Sequence, residues 1–427
     1  MFEAEGIPKE ALQKIREYEV SDIAVGIPTF NNASTIEHVI QTIGEGLRAY
    51  FPDARSVIIN SDGGSKDGTP ELVSGSRPNA HALIQVSYRS NPVQEFSVPG
   101  SGIPGKAVAL RQIFQAASML NVKACAIVDA DLRNLTPDWI RSLVQPVFDG
   151  KCELAIPYYM RYKFDGTLTN SIIYPMMRAL YGRRIRHPIC DEFCFSPALL
   201  QHYLKQDIWE GGASPYGIDI WMTTEAICGG FRTAQVFLGI KPRDTREPFA
   251  DLSGTLTRIL GPMFVEMEKN VRMWQRVRGS ESVPLFGEVQ ATDSTPVKVD
   301  VGKMIDSYDL GFKNLFEIWS RIMPPAALME LKKLARRANG DFRFPDEIWV
   351  HVVYDFAVAY HLRTMNRDHL LSALTPLYLG WIASFMLQMQ SADAEQVEAR
   401  IEQLCLRYEA EKPYLISRWR WPDRFNP

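Results

Sequence analysis

KACAIVDADL, residues 123–132, is the stretch on which the fold turns. An unbroken apolar run from Ala124 to Val128 stops at two carboxylates, Asp129 and Asp131. A strand covered on both faces reads as such a run, without alternation. The segment that follows, TPDWIRSLVQPV, has helical spacing. The same format stands upstream three more times. SDIAVGIPTF leads into STIEHVIQTIGEGLRAYF, where Asn32 or Ser34 is placed to cap a helix. ARSVIINSDGGSKDGTPELV joins a strand to a helix through a Gly/Asp-rich loop, and ALIQVSYRS precedes PGSGIPGK and the helix AVALRQIFQAASML. Strands alternating with helices predict an α/β domain with a mostly parallel sheet. Ligands of such sheets bind beyond the carboxyl ends of the strands, where all four loops must lie.

Further on, LAIPYYMRY and RTAQVFLGI read as strands, DEFCFSPALLQHYL as a strand entering a helix, and TNSIIYPMMRALYG and GIDIWMTTEAICGG as helices. Strand signals stop near residue 250, ESVPLFGEVQATDSTPVKVD reads as a linker, and helix follows helix from Val301 onward. The expected organisation is an α/β domain over 1–280, a linker over 281–300 and a helical domain over 301–427. The aromatic and Met stripe over 345–390 reads as helical core. Residues 370–390 carry no charge, yet Pro376, Gly380 and the interspersed hydroxyls favour a buried, broken helix pair over a transmembrane span.

The chain has 427 residues, with a hydrophobic fraction of 46% and a formal net charge of −3. That balance offers no electrostatic footprint for nucleic acid. Six cysteines without zinc spacing read as thiols of a reducing, cytoplasmic compartment, and the amino terminus lacks the apolar core of a signal peptide. The RWRWPDRF tail (418–425) reads as packing within the chain or across a homodimer, not as a membrane or nucleic-acid patch.

Asp129 and Asp131 are hard oxygen donors at a ligand-binding edge and suit Mg²⁺ or Mn²⁺. No P-loop motif accompanies them, so a nucleoside diphosphate held through a metal is the chemistry expected. Asp62, in NSDGGSKDGT, offers acceptors to a base or ribose, or else shapes a tight turn. Lys106, after Gly105 at a helix start, is a point charge suited to a diphosphate.

Together, IPTFNN (27–32), NSDGGSKDGT (60–69), PGKAVAL (104–110) and VDADL (128–132) resemble nucleotide-sugar glycosyltransferases of the GT-A fold. HPICDEF (187–193), YGIDI (216–220) and QVFLGIKPRD (235–244) narrow this. The chain is similar over about residues 22–270 to the retaining glucosyl-3-phosphoglycerate and mannosylglycerate synthases. The resemblance implies a GT-A catalytic domain, a UDP-, GDP- or ADP-hexose donor and a small acid acceptor such as glycerate. It implies that Pro28, Thr29 and Asn31 line the nucleoside pocket, with Asp62 on the base. Gly105 and Lys106 would meet ribose or phosphate, and Asp129, Ala130 and Asp131 ribose and metal. Glu192 falls on the sugar-binding loop. Tyr216, Gly217 and Asp219 fall beside the acceptor and the anomeric carbon, with His187 and Arg161 on the acceptor side. Asp219, Glu192 and Lys106 are the catalytic candidates.

Three departures stand out. An acidic pair that usually follows the first strand's proline is Asn31-Asn32 here. Arg243 occupies the place of the family's metal-binding histidine, so either Asp244 becomes the third ligand or Arg243 supplies charge without ligating. Pro197 replaces the arginine that grips an acceptor phosphate, which favours an unphosphorylated acid unless Arg161, Lys163 or Arg183 takes its place. An inverting transferase acting on a glycan or lipid, and a sugar-nucleotide-binding protein that has lost catalysis, are the alternatives.

Overall fold

The computed structural model describes residues 6–78, 82–88, 105–209, 217–240, 251–289, 299–335 and 342–420. The chain divides into two compact units. The first comprises Met1–Tyr159, His187–Pro242 and Val283–Gln290; the second comprises Met160–Arg186, Arg243–Ser282 and Ala291–Pro427. This division interleaves the chain, where the sequence suggested one cut between residues 280 and 300.

The first unit contains, in chain order, α1 (Lys9–Tyr18), β1 (Ile23–Thr29), α2 (Ile36–Tyr50), β2 (Ser56–Asp62), α3 (Thr69–Gly75), β3 (Ala82–Ser87), α4 (Lys106–Met119), β4 (Ala124–Ile127), α5 (Pro137–Phe148) and β5 (Leu154–Met160). It continues with β6 (Phe193–Phe195), α6 (Pro197–Leu204), α7 (Ile218–Cys228), β7 (Thr233–Ile240) and β8 (Leu285–Phe286). These make one eight-stranded sheet in the order β8-β7-β5-β6-β4-β1-β2-β3. Every residue of β1, β2 and β4 is buried, the polar Asn60, Ser61 and Asp62 at the end of β2 included. The helices cover the faces through residues at helical spacing. In α2 these are Ile36, Val39, Ile40, Ile43 and Leu47, and in α5 Trp139, Ile140, Leu143, Val144 and Val147.

Two details depart from the sequence reading. Leu285 and Phe286 lie in the expected linker but pair in parallel with Gln235 and Val236, adding an edge strand. Two residues are too few to show a strand period. The residue at the amino end of α2 is Thr35, with no side-chain cap bond, and the Asn32 side chain bonds the Phe30 amide and Asp131 instead of capping the helix.

The decisive pairing is that of β6. It runs antiparallel to β4, with Cys125 opposite Phe195, Ala126 opposite Cys194 and Ile127 opposite Phe193. The start of β6 therefore meets the end of β4, and the residues just before Phe193 lie beside those just after Ile127. β1 and β4 are parallel, so the β1 and β2 ends share that edge.

In the second unit, helices span Leu252–Lys269, Val301–Ser320, Pro325–Leu334, Asp346–Leu362, Arg367–Ala373, Thr375–Met389, Ala394–Ala410 and Lys412–Arg420. Trp274, Trp319, Trp349, Tyr308, Tyr354, Tyr378 and Tyr408 are fully buried there. The apolar stretch splits at Leu374, between a helix ending at Ala373 and one beginning at Thr375, and 72% of its most apolar window is buried. That is how a core helix pair behaves. Asp393 and Gln396 form a capping box, and Asn366 caps the helix beginning at Arg367. Arg178, fully buried, is ion-paired with Glu402 and Glu409. From the tail, Arg418 bonds Asp355 at 3.0 Å and Trp419 stacks on His361, so this part of the tail packs within its own unit. Residues 421–427 lie outside the described residues. All six cysteines are thiols, and five are buried.

Candidate active site

At the carboxyl edge of the sheet, the end of β1 is tied to the loop after β2. Asn31, at φ 58°, accepts a bond from the Lys66 amide, and its own N–H donates to Ser65 Oγ at 2.8 Å. The Ala33 amide donates to Asp67. Asp62 closes this loop. Its Oδ1 accepts from the Gly64 and Ser65 amides, both at 2.9 Å, and its Oδ2 from Thr29 Oγ1 at 2.8 Å and Ser65 Oγ at 2.7 Å. A carboxylate has about four acceptor positions, and all four are filled. Asp62 thus holds the loop in shape. Pro28 and Thr29 are buried inside β1, and Thr29 also accepts from the Asn60 amide at 3.0 Å.

The antiparallel β6 brings Asp191 and Glu192 to Asp129. One carboxylate oxygen from each of the three lies within 4.8 Å of the others. Burial pushes Asp129 up to about 7, reinforced by the charges of Asp191, Glu192 and Asp131. Glu192 is fully buried; its Oε2 accepts the Tyr159 hydroxyl at 2.8 Å, while its Oε1 has no hydrogen-bond partner among the described residues. Such an orphaned oxygen is costly unless a cation or donor meets it. Three converging carboxylates with an orphaned buried oxygen fit a hard divalent cation such as Mg²⁺ or Mn²⁺.

Asp131 turns aside from this trio. Asn32 Nδ2 donates to its Oδ1 at 2.6 Å, and its own amide lies 3.3 Å from Asp129 Oδ1. Ala130 is buried in the core. Of the expected metal residues, Asp129 therefore stands among converging carboxylates and Asp131 stands beside them, while Asp244 lies outside the described residues.

Two helix starts supply the rest. Gly105 (φ 69°) and Gly217 (φ 119°) precede α4 and α7 in left-handed conformations that a β-carbon would oppose. They deliver Lys106 and Asp219 to one point. Lys106 Nζ is 2.8 Å from Asp191 Oδ1 and 2.9 and 3.0 Å from the Asp219 oxygens. Burial would lower the lysine, but Asp191 and Asp219 outweigh it and hold Lys106 well above its ordinary value. Burial pushes Asp219 up to about 6 against the pull of Lys106.

His187 is buried, with Nε2 at 3.1 Å from the Tyr159 carbonyl and its ring stacked near Tyr158 and Tyr159. Tyr216 lies outside the described residues, and Arg161 belongs to the second unit, folded over Gly166. Sequence reasoning passed over Asp191, although it stands in HPICDEF beside Glu192. Its signal was an acidic pair ahead of a three-residue apolar strand, which becomes meaningful only once that strand is known to run antiparallel to β4.

No family model matches the chain, and no curated protein matches it. Solved structures similar to the chain include glucosyl-3-phosphoglycerate synthase from Mycobacterium tuberculosis. Its complex with Mn²⁺, UDP and glucosyl-3-phosphoglycerate is 22% identical, with TM-score 0.42 over 59% of this chain and 83% of that one. Its complex with Mg²⁺ and UDP is also 22% identical, at TM-score 0.41 over 59% and 83%. Residue roles in this chain rest on its own geometry.

Proposed function

We propose that the protein is a metal-dependent, retaining glycosyltransferase of the GT-A fold. It moves a hexose, glucose or mannose, from a nucleoside diphosphate to glycerate or a similar small hydroxy acid. The observation that carries this reading is the convergence of Asp129, Asp191 and Glu192 at the carboxyl edge of the sheet, with Lys106 bonded to one of them. Asp129, Asp191 and Glu192 would hold a divalent cation, which would supply Lewis-acid stabilisation to a departing diphosphate. Lys106 adds a fixed positive charge at the start of α4, where backbone amides also face an anion. Asp219 holds the Lys106 ammonium in place through both of its oxygens. Glu192, positioned by Tyr159, presents its second oxygen toward the sugar or the cation. In a retaining reaction the acceptor hydroxyl attacks from the leaving-group face, and no protein base is needed. In an inverting reaction Asp219 is the residue placed to serve as base.

A donor-by-acceptor screen tests the proposal. Purified protein is incubated with UDP-, GDP- and ADP-glucose or -mannose, Mg²⁺ or Mn²⁺, and glycerate or 3-phosphoglycerate, and products are read by NMR. An α-linked glycosyl-glycerate from an α-donor is expected. Folded protein giving no glycosylated acid overturns the acceptor assignment, and a β-linked product overturns retention.

A further inference from the structure

Asp191 faces two claims on one carboxylate. Its Oδ1 accepts from Lys106 Nζ at 2.8 Å, and it also offers an oxygen within 4.8 Å of those of Asp129 and Glu192. Among the described residues, five carboxylates, those of Asp129, Asp131, Asp191, Glu192 and Asp219, act on this cluster, and Lys106 is the cation among them. Glu192 Oε1, buried and without a partner among the described residues, marks where positive charge is missing.

We infer that Asp191 is the third metal ligand, and that it is shared: metal loading draws its carboxylate from Lys106, leaving Lys106 held by Asp219 and open to the diphosphate. This rests on the nucleotide-sugar reading above. It also explains how a chain with Arg243 at the usual histidine position assembles a ligand set, since the two residues just before β6, Asp191 and Glu192, both carry carboxylates to Asp129. Lys106 Nζ has three protons, and in the resting site they are directed at Asp191 and Asp219. A phosphate oxygen gains an unopposed donor only when one of those acceptors is withdrawn. Because linkage is reciprocal, the ammonium and the metal then compete for Asp191.

The test is Mn²⁺ binding by the full chain without nucleotide, read by the EPR signal of free Mn²⁺ and by calorimetry. Asp191→Asn is expected to weaken Mn²⁺ binding at least tenfold. Lys106→Met is expected to tighten it several-fold in the wild-type background and to leave it within twofold in the Asp191→Asn background. Simple repulsion between the lysine and the metal would tighten binding equally in both backgrounds, and that outcome overturns sharing. Wild-type affinity retained by Asp191→Asn overturns the ligand assignment while leaving the glycosyltransferase reading intact. Wild-type protein that binds no Mn²⁺, with or without a nucleoside diphosphate, overturns both. Thermal unfolding accompanies each variant, and Lys106→Gln, which keeps a donor but removes the charge, replaces Lys106→Met if that variant fails to fold.

Discussion

Asn32 Nδ2 donates to Asp131 Oδ1 at 2.6 Å, so the loop after β1 holds the second acidic residue of the β4 edge through a neutral amide. The same side chain accepts the Phe30 amide at 2.7 Å through Oδ1, which fixes the amide's orientation. Asn32→Asp would place two carboxylates in contact beside Asp129. We expect a fall in stability of about 1–3 kcal/mol, from the lost bond and like-charge repulsion. Mn²⁺ should restore more of the melting temperature in this variant than in wild type. A variant as stable as wild type without metal would show that the Asn32–Asp131 contact contributes nothing.

Asp131→Ala separates the chemistry from the fold. Its carboxylate is partly exposed and its Oδ1 is bonded to one amide, so removal should cost about 1 kcal/mol of stability. Glycosyl transfer should nevertheless fall about 10–100-fold, as expected when a group that supports a metal ligand, here Asp129, is lost. Unchanged turnover by this variant would remove Asp131 from the site.

Asp62→Ala should act through structure first. Four donors, from Gly64, Ser65 twice and Thr29, lose their acceptor, one of them buried and three part-buried. A loss of about 3 kcal/mol is expected, readable as a lower urea midpoint at constant m. Had Asp62 been a base contact alone, Asp62→Ala would leave the unfolding midpoint unchanged and shift only the donor KM.

The parallel half of the sheet was legible because β1, β2 and β4 are buried on both faces and each is followed by a loop and a helix. The loop residues of Asp62 and Lys106 were legible for the same reason, as residue types placed after strands and before helices. What sequence could not supply was direction. Phe193-Cys194-Phe195 reads as a strand either way, yet only its antiparallel pairing with β4 carries Asp191 and Glu192 to Asp129. Asp62 shows the converse limit. A sequence names a carboxylate in a loop, but whether its oxygens face a ligand or the loop's own amides depends on local backbone angles. Leu285-Phe286 joined the sheet through two residues, below the length at which any period is visible.

The pH dependence of stability has an identifiable contribution in the second unit. Asp355 is fully buried, bonded by Arg418 Nε at 3.0 Å and by the Tyr414 hydroxyl at 2.8 and 2.9 Å. Burial outweighs both partners and pushes its carboxyl from its ordinary 3.8 up to about 6. The folded protein therefore holds a proton on Asp355 where the unfolded chain has released it. The stabilisation this brings is complete below about pH 4 and is lost as pH rises through about 6. Asp355→Asn cannot titrate, so the stability difference between wild type and variant isolates the effect from every other carboxylate. Wild type should gain on the variant by about 3 kcal/mol at most on going from pH 7 to pH 4. Chemical denaturation at the two pH values measures this difference. A gap that is constant, or that widens toward pH 7, would mean that Arg418 holds Asp355 ionised throughout and that the buried pair, not the proton, sets the balance.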